Sequence, residues 1–211
     1  NNINNKFNNI MEVYYKIIKI KKAKIDEKGD KIIGDFINDI KNGKGILYYN
    51  ANNIKNRYEG DFKDDKREGK GILYIKIGHK YEGEWKDNKY EGKGIYYWND
   101  GTKYDGYWKD NKREGKGIFY YNDGNRYEGE WKDNRREGKG IFYYNDGNRY
   151  EGEWKDNKKE GKGIFYYNNG DFKNDKKEGK GIIMVIDLKV ILKKIKRKEK
   201  EYYIIIMVIG K

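Results

Sequence analysis

Apolar and polar positions alternate with a period of two through short stretches of the chain. In "RYEGEWK", residues 126–132, Tyr127, Gly129 and Trp131 fall on one side of an extended strand, and Glu128 and Glu130 fall on the other. The polar stretch "DNRREGKG" follows, and its Asn and Gly residues suit a turn. Asn134 tolerates positive φ, and Gly138 and Gly140 are free to adopt it. "IFYY", residues 141–144, is then a β-branched and aromatic run that predicts the returning strand. "NDG", residues 145–147, is a hairpin-turn signal. No window sustains the 3.6-residue period of a helix. The pattern predicts strand, turn, strand, turn.

That unit recurs every 23 residues, opened by Tyr58, Tyr81, Tyr104, Tyr127 and Tyr150. The tetrapeptide GKGI occurs seven times, starting at Gly43, Gly69, Gly92, Gly115, Gly138, Gly161 and Gly179. An earlier unit, Ile32–Arg57, fits with three extra residues, and a later one begins near Asp171–Phe172 after a five-residue shortening. About seven units therefore span residues 32–182, between a degenerate segment 1–31 and a basic aliphatic tail 183–211. A lone hairpin is marginal in water, so stability must come from stacking between neighbours. The expected fold is all-β: an elongated single antiparallel sheet of stacked β-hairpins, with an irregular or partly helical tail over Leu188–Lys200. The Gly of each Tyr-x-Gly reads as space for a ring from the neighbouring strand. The Tyr, Trp and return-strand aromatics are expected to stack along the array.

Composition supports order. Aromatic residues are 16% of the chain, with 22 Tyr, whereas disordered chains are aromatic-poor. The net charge of +13 suggests nucleic acid or anionic lipid until it is placed. Residues 1–31 hold eight Lys against four acids, and residues 183–211 hold eight Lys or Arg against three. The repeats are close to neutral. No apolar run approaches the ~18 residues of a membrane span, so an intracellular protein, soluble or peripheral, is expected.

Candidate chemistry is sparse. The chain has no Cys and no Ser, which removes the usual nucleophiles. His79 is the single His; it reads as a turn residue without partners for a metal. Glu82/Glu84, Glu128/Glu130 and Glu151/Glu153 share strand faces, but acid–base pairs are not normally copied every repeat, so a solvated face is expected. "EGKGI" lacks the spacing and the Ser or Thr of a phosphate loop. No catalytic, cofactor or metal site is predicted. Nucleic acid is disfavoured because bases alternate with acids.

The repeat resembles the MORN repeat, the "membrane occupation and recognition nexus", whose core is Tyr-x-Gly-x-Trp followed by Gly-x-Gly and a further Gly. Tyr81-Gly83-Trp85, Tyr104-Gly106-Trp108, Tyr127-Gly129-Trp131 and Tyr150-Gly152-Trp154 match it, and Tyr58-Gly60-Phe62 matches with Phe for Trp. Where the family often has Gly, this chain has Asp65, Asn88, Asn111, Asn134 and Asn157, which suit the same left-handed turn. The resemblance implies a non-enzymatic scaffold that binds protein partners or itself, in cytoplasm or at a membrane–cytoskeleton junction. It also raises two alternatives: an acidic-phospholipid module, and an accessory part of a larger enzyme such as a lipid kinase. For lipid, the candidate contacts are Lys112, Arg113, Arg135, Arg136, Lys158 and Lys159, with a solvated charged edge as the plainer reading.

The tail carries one further sequence signal. Read one base out of frame, Met184–Val185 and Met207–Val208 must each give Gly, 23 positions apart. The tail therefore reads as another repeat displaced from its frame, and its charge is not evidence for a binding arm.

Overall fold

A computed structural model describes residues 20–49, 56–75, 77–168, 182–186, 196–197 and 200–201. Among these residues every regular element is a strand. The chain divides into two compact units, residues 1–99 with 109–111 and residues 100–108 with 112–211. The first unit holds β1 (Ile20–Ile25), β2 (Lys31–Ile37), β3 (Ile40–Tyr48), β4 (Arg57–Lys63), β5 (Lys66–Tyr74), β6 (Lys80–Lys86) and β7 (Lys89–Tyr97). The second holds β8 (Lys103–Lys109, its last residue excepted), β9 (Lys112–Tyr120), β10 (Arg126–Lys132), β11 (Arg135–Tyr143), β12 (Arg149–Lys155), β13 (Lys158–Tyr167) and β14 (Ile182–Ile186). Within each unit the strands neighbour one another in chain order, forming the open antiparallel sheet of hairpins that the alternation predicts.

The hairpin β10–β11 shows how the repeat folds. Lys132 faces Arg135 across a two-residue turn in which Asp133 and Asn134 stand at φ 47° and 69°. Positive φ at both central residues is the turn whose twist matches that of the flanking strands. The sequence singles out Asn134, but Asp133 takes the same strained conformation. Beyond the turn Glu130 faces Glu137, whereas Gly129 faces Gly140, so the register shifts by a bulge in β11. Gly138 absorbs the bulge at φ 62°.

Gly140 is not among the residues at positive φ, contrary to the turn role the sequence suggests for it. It is needed for close approach instead. A β-carbon on Gly129 would lie 2.6 Å from the Gly140 Cα, and one on Gly140 would meet the Tyr127 ring. Tyr127 folds across both glycines, so at Gly129 the ring comes from the same strand rather than the neighbouring one. Its hydroxyl donates to the Glu130 carbonyl at 3.2 Å.

The core is a single repeated layer. Tyr58, Tyr81, Tyr104 and Tyr127 are fully buried and Tyr150 almost so; Phe62, Trp85, Trp108, Trp131 and Trp154 are each at most 6% exposed. Trp131 packs edge-on to Tyr127 at 5.3 Å and to the preceding repeat's Tyr104 at 5.3 Å. Its indole N–H donates to the Gly117 carbonyl at 3.3 Å. Trp85 and Trp154 bond the Gly71 and Gly140 carbonyls of the repeat before them in the same way. The first repeat keeps the layer with other residues: Ile32 and Phe36 are buried at the Tyr and Trp positions.

Two features fall outside the repeat pattern. β1 pairs with β2 although residues 20–25 carry no Tyr-x-Gly-x-Trp. In the tail, Lys196–Arg197 (β15) pairs with Lys200–Glu201 (β16), so the helix expected over Leu188–Lys200 does not form at those residues. The rest of that segment, and most of the displaced repeat, lie outside the described residues.

Candidate functional site

Three surfaces repeat along the units: the rim of Asp-Asn turns, the aromatic face, and the face opposite. Each was built from one position of the repeat, so each recurs with the strand spacing of about 9.6 Å per hairpin.

On the rim, the described turns from Asp64–Asp65 to Asp156–Asn157 are each held by the hairpin before them. Asn134 Oδ1 accepts the Arg113 backbone N–H at 2.8 Å, and the Asn134 N–H donates to the Arg113 carbonyl at 3.1 Å. Glu114 accepts the Asp133 N–H at 3.1 Å. Lys112 pairs with Asp133 at 2.6 Å. The same set joins Arg135, Arg136 and Glu137 to Asp156 and Asn157. In the first unit it joins Lys66, Arg67 and Glu68 to Asp87 and Asn88. The Lys112 ammonium, with its hydrogen bond, holds the Asp133 carboxyl below the usual carboxylate range.

The six candidate lipid contacts sit within or beside this ladder. Lys112 and Arg135 are in ion pairs with Asp133 and Asp156, each 2.6 Å long. The Arg113 guanidinium lies 4.5 Å from the Trp131 ring centre and donates to the Asn134 carbonyl. Arg136 does the same over Trp154, at 4.4 Å, and to the Asn157 carbonyl. Burial pushes the Arg113 pKa down, the expected sign for a cation taken from water. Lys159 donates to the Tyr144 hydroxyl at 2.8 Å and lies over Tyr150. Lys158 is exposed.

The repeat-defining residues Tyr104, Gly106, Trp108, Tyr127, Gly129, Trp131, Tyr150, Gly152 and Trp154 form the floor of the second unit's aromatic face. Tyr58, Gly60, Phe62, Tyr81, Gly83 and Trp85 do so in the first. Above the floor of the second unit runs a row that the sequence assigns to buried stacking. Phe119, Tyr121, Phe142, Tyr144, Phe165 and Tyr167 touch in succession, with ring centres 4.5–5.7 Å apart. All six remain partly exposed. A trough of about 430 Å³ is lined by Tyr121, Phe142 and Tyr144 of this row together with Asp123, Asn125, Arg136, Asn157 and Lys159. A signal for this row was present in the sequence. The first unit interrupts the row with Leu47, Leu73 and Ile75 and keeps Tyr49, Tyr96 and Trp98, so a continuous row of rings is not required there.

On the opposite face Glu128 stands between Ile118 and Ile141, and Glu151 between Ile141 and Ile164. With Lys116, Lys139 and Lys162 these line a trough of about 910 Å³ over β9–β13. Arg126 and Arg149 cover Tyr143 and Tyr166 beside it, at 4.2 and 4.0 Å. The Glu pairs are exposed, as expected of a solvated face. His79 lies 3.2 Å from both the Tyr96 hydroxyl and Asn99 Oδ1. Among the described residues no group of three His, Asp or Glu is placed to hold a metal ion.

The model of the MORN repeat matches residues 33–54, 58–80, 81–103, 104–126, 127–149, 150–172 and 170–183. The chain belongs to the MORN-repeat family. No curated protein matches this MORN-repeat chain in sequence. Among solved structures it is similar to the TCP domain of Drosophila melanogaster SAS-4 (dCPAP), solved in complex with a proline-rich motif of Ana2 (dSTIL). That likeness has a TM-score of 0.40 and 15% identity, and covers 79% of this chain and 90% of that one. No helix among the described residues of the MORN-repeat chain is long and apolar enough to cross a membrane.

Proposed function

We propose that this MORN-repeat chain is a non-enzymatic scaffold that holds protein partners, or a second copy of itself, against the faces of its sheets. The observation that carries the reading is the commitment of the rim. Four of the six strongest candidate cations, Lys112, Arg113, Arg135 and Arg136, are spent on the next turn's Asp and Asn or on Trp rings. Three groups with acid–base chemistry are used in the same way: Glu114 and Glu137 cap turn N–H groups, and the Tyr127 hydroxyl bonds a carbonyl. What the repeats leave to solvent is a row of half-exposed rings on one face and an Ile–Glu–Lys trough on the other. Such broad, periodic surfaces suit extended partners. A cytoplasmic setting, at a membrane or cytoskeletal junction, belongs with this reading.

The second reading, an acidic-phospholipid module, draws on Lys132 and Lys155, which remain exposed at the turns. Sedimentation with vesicles separates the two across a salt series. A scaffold forms a salt-tolerant complex with a purified partner or with itself. A lipid module sediments only with acidic vesicles, and loses them as salt rises.

A further inference from the structure

Under the scaffold reading, the aromatic face of β9–β13 has the features of a site for one chemical class of partner. Its row of rings is longer than the first unit's. There Leu47, Leu73 and Ile75 fill three of the six equivalent positions with aliphatic side chains, and Tyr49, Tyr96 and Trp98 fill the other three. In the second unit the same positions are all Phe or Tyr: Phe119 and Tyr121, Phe142 and Tyr144, Phe165 and Tyr167. These rings are tilted on one another and half-exposed, and Asn and Lys side chains line the trough with them. Tyr144 accepts a hydrogen bond from Lys159, which leaves its own O–H to donate outward.

The spacing selects the ligand's backbone. Identical ring pairs recur every two strands, ~9.6 Å apart across the sheet. A polyproline II helix repeats every three residues, or about 9.3 Å. Every third residue of such a ligand therefore meets the same ring pair, with a slip of about 0.3 Å per repeat. An α-helix would need about 6.4 residues per repeat, and its contacting face would rotate away. An extended β-strand repeats at about 6.6 Å and falls out of step at once. Aromatic troughs bordered by donors are also the general means of gripping proline rings and the unpaired carbonyls between them.

The geometry points to a proline-rich segment of another protein, with prolines at i, i+3 and i+6, lying across β9–β13 on the Phe–Tyr row. Residues 1–211 contain no proline, so none of them in a second copy supplies this ligand.

The test is titration of the full chain into fluorescein-labelled decaproline, followed by anisotropy. Saturable binding is expected, weakened at least five-fold by Tyr121→Leu and by Tyr144→Leu. Leucine and isoleucine are the kind of residue the first unit already carries there, and circular dichroism confirms that the fold is kept. Tyr143→Leu, on the opposite face under Arg126, should leave binding unchanged. A peptide with proline every third residue should bind more tightly than one with proline every fourth. No saturation by about 1 mM peptide, or binding indifferent to Tyr121→Leu and Tyr144→Leu, overturns the proposal. Tighter binding of labelled dT10 to the same row would also overturn it, in favour of base stacking. If decaproline is silent while a purified protein partner binds in a manner sensitive to the opposite face, this proposal fails and the scaffold reading stands.

Discussion

Asn134 shows how much one residue does in this fold: it stands at φ 69° and its side chain accepts the Arg113 N–H. Asn134→Gly keeps the conformation and loses the acceptor, an expected cost of about 1 kcal/mol. Asn134→Ala loses the acceptor and also the short polar side chain that lets Asn visit the left-handed region, so it should cost about 1 kcal/mol more. Urea midpoints should therefore rank wild type above Gly above Ala. Gly129→Ala should be far worse, about 4 kcal/mol or more, because its β-carbon would lie 2.6 Å from the Gly140 backbone, which has nowhere to move. The turn glycines and the packing glycines look alike in "EGKG". Only the bulge at Gly138 and the ring over Gly140 separate them, and both depend on the partner strand.

At the scale of the element, the hairpin was legible from alternation and from the 23-residue spacing, because Tyr, Gly and Trp at period two can face only one way. The bond between hairpins was not. Lys112, Arg113 and Glu114 read as a charged turn, and their partners Asp133 and Asn134 lie about twenty residues on. β1 was also hidden, since residues 20–25 lack the repeat signature and gain a place by pairing with β2. Repeat docking makes a specific prediction. Deleting residues 127–149 joins Arg126 to Tyr150 in register, so the shortened chain should keep its β-type circular dichroism and melt cooperatively at a lower temperature. Deleting residues 127–137 alone breaks the alternation and should abolish cooperative melting.

For the whole molecule, burial of one tyrosine per repeat links stability to alkaline pH. Burial raises the hydroxyl pKa of Tyr58, Tyr81, Tyr104, Tyr127 and Tyr150 above the usual value of 10.0. A pKa raised on folding contributes stability that is complete below pH 10. Above that pH the unfolded chain sheds protons that the folded chain keeps, so stability should fall steadily. Phenolate absorbance at 295 nm should show a late set of tyrosines that ionises only as circular dichroism is lost. Charge, by contrast, misleads at this scale. The total of +13 is concentrated in residues 1–31 and 183–211, while the rim pairs its cations with the next turn. Sedimentation with phosphatidylserine vesicles at about 0.15 M salt, where exposed charges more than ~8 Å apart are screened, tests most directly whether the sheet faces or the rim make the contacts. The protein should stay in the supernatant, and any binding at low salt should be unchanged by Lys112→Gln with Arg135→Gln. Sedimentation at 0.15 M salt that those two substitutions abolish would contradict the account.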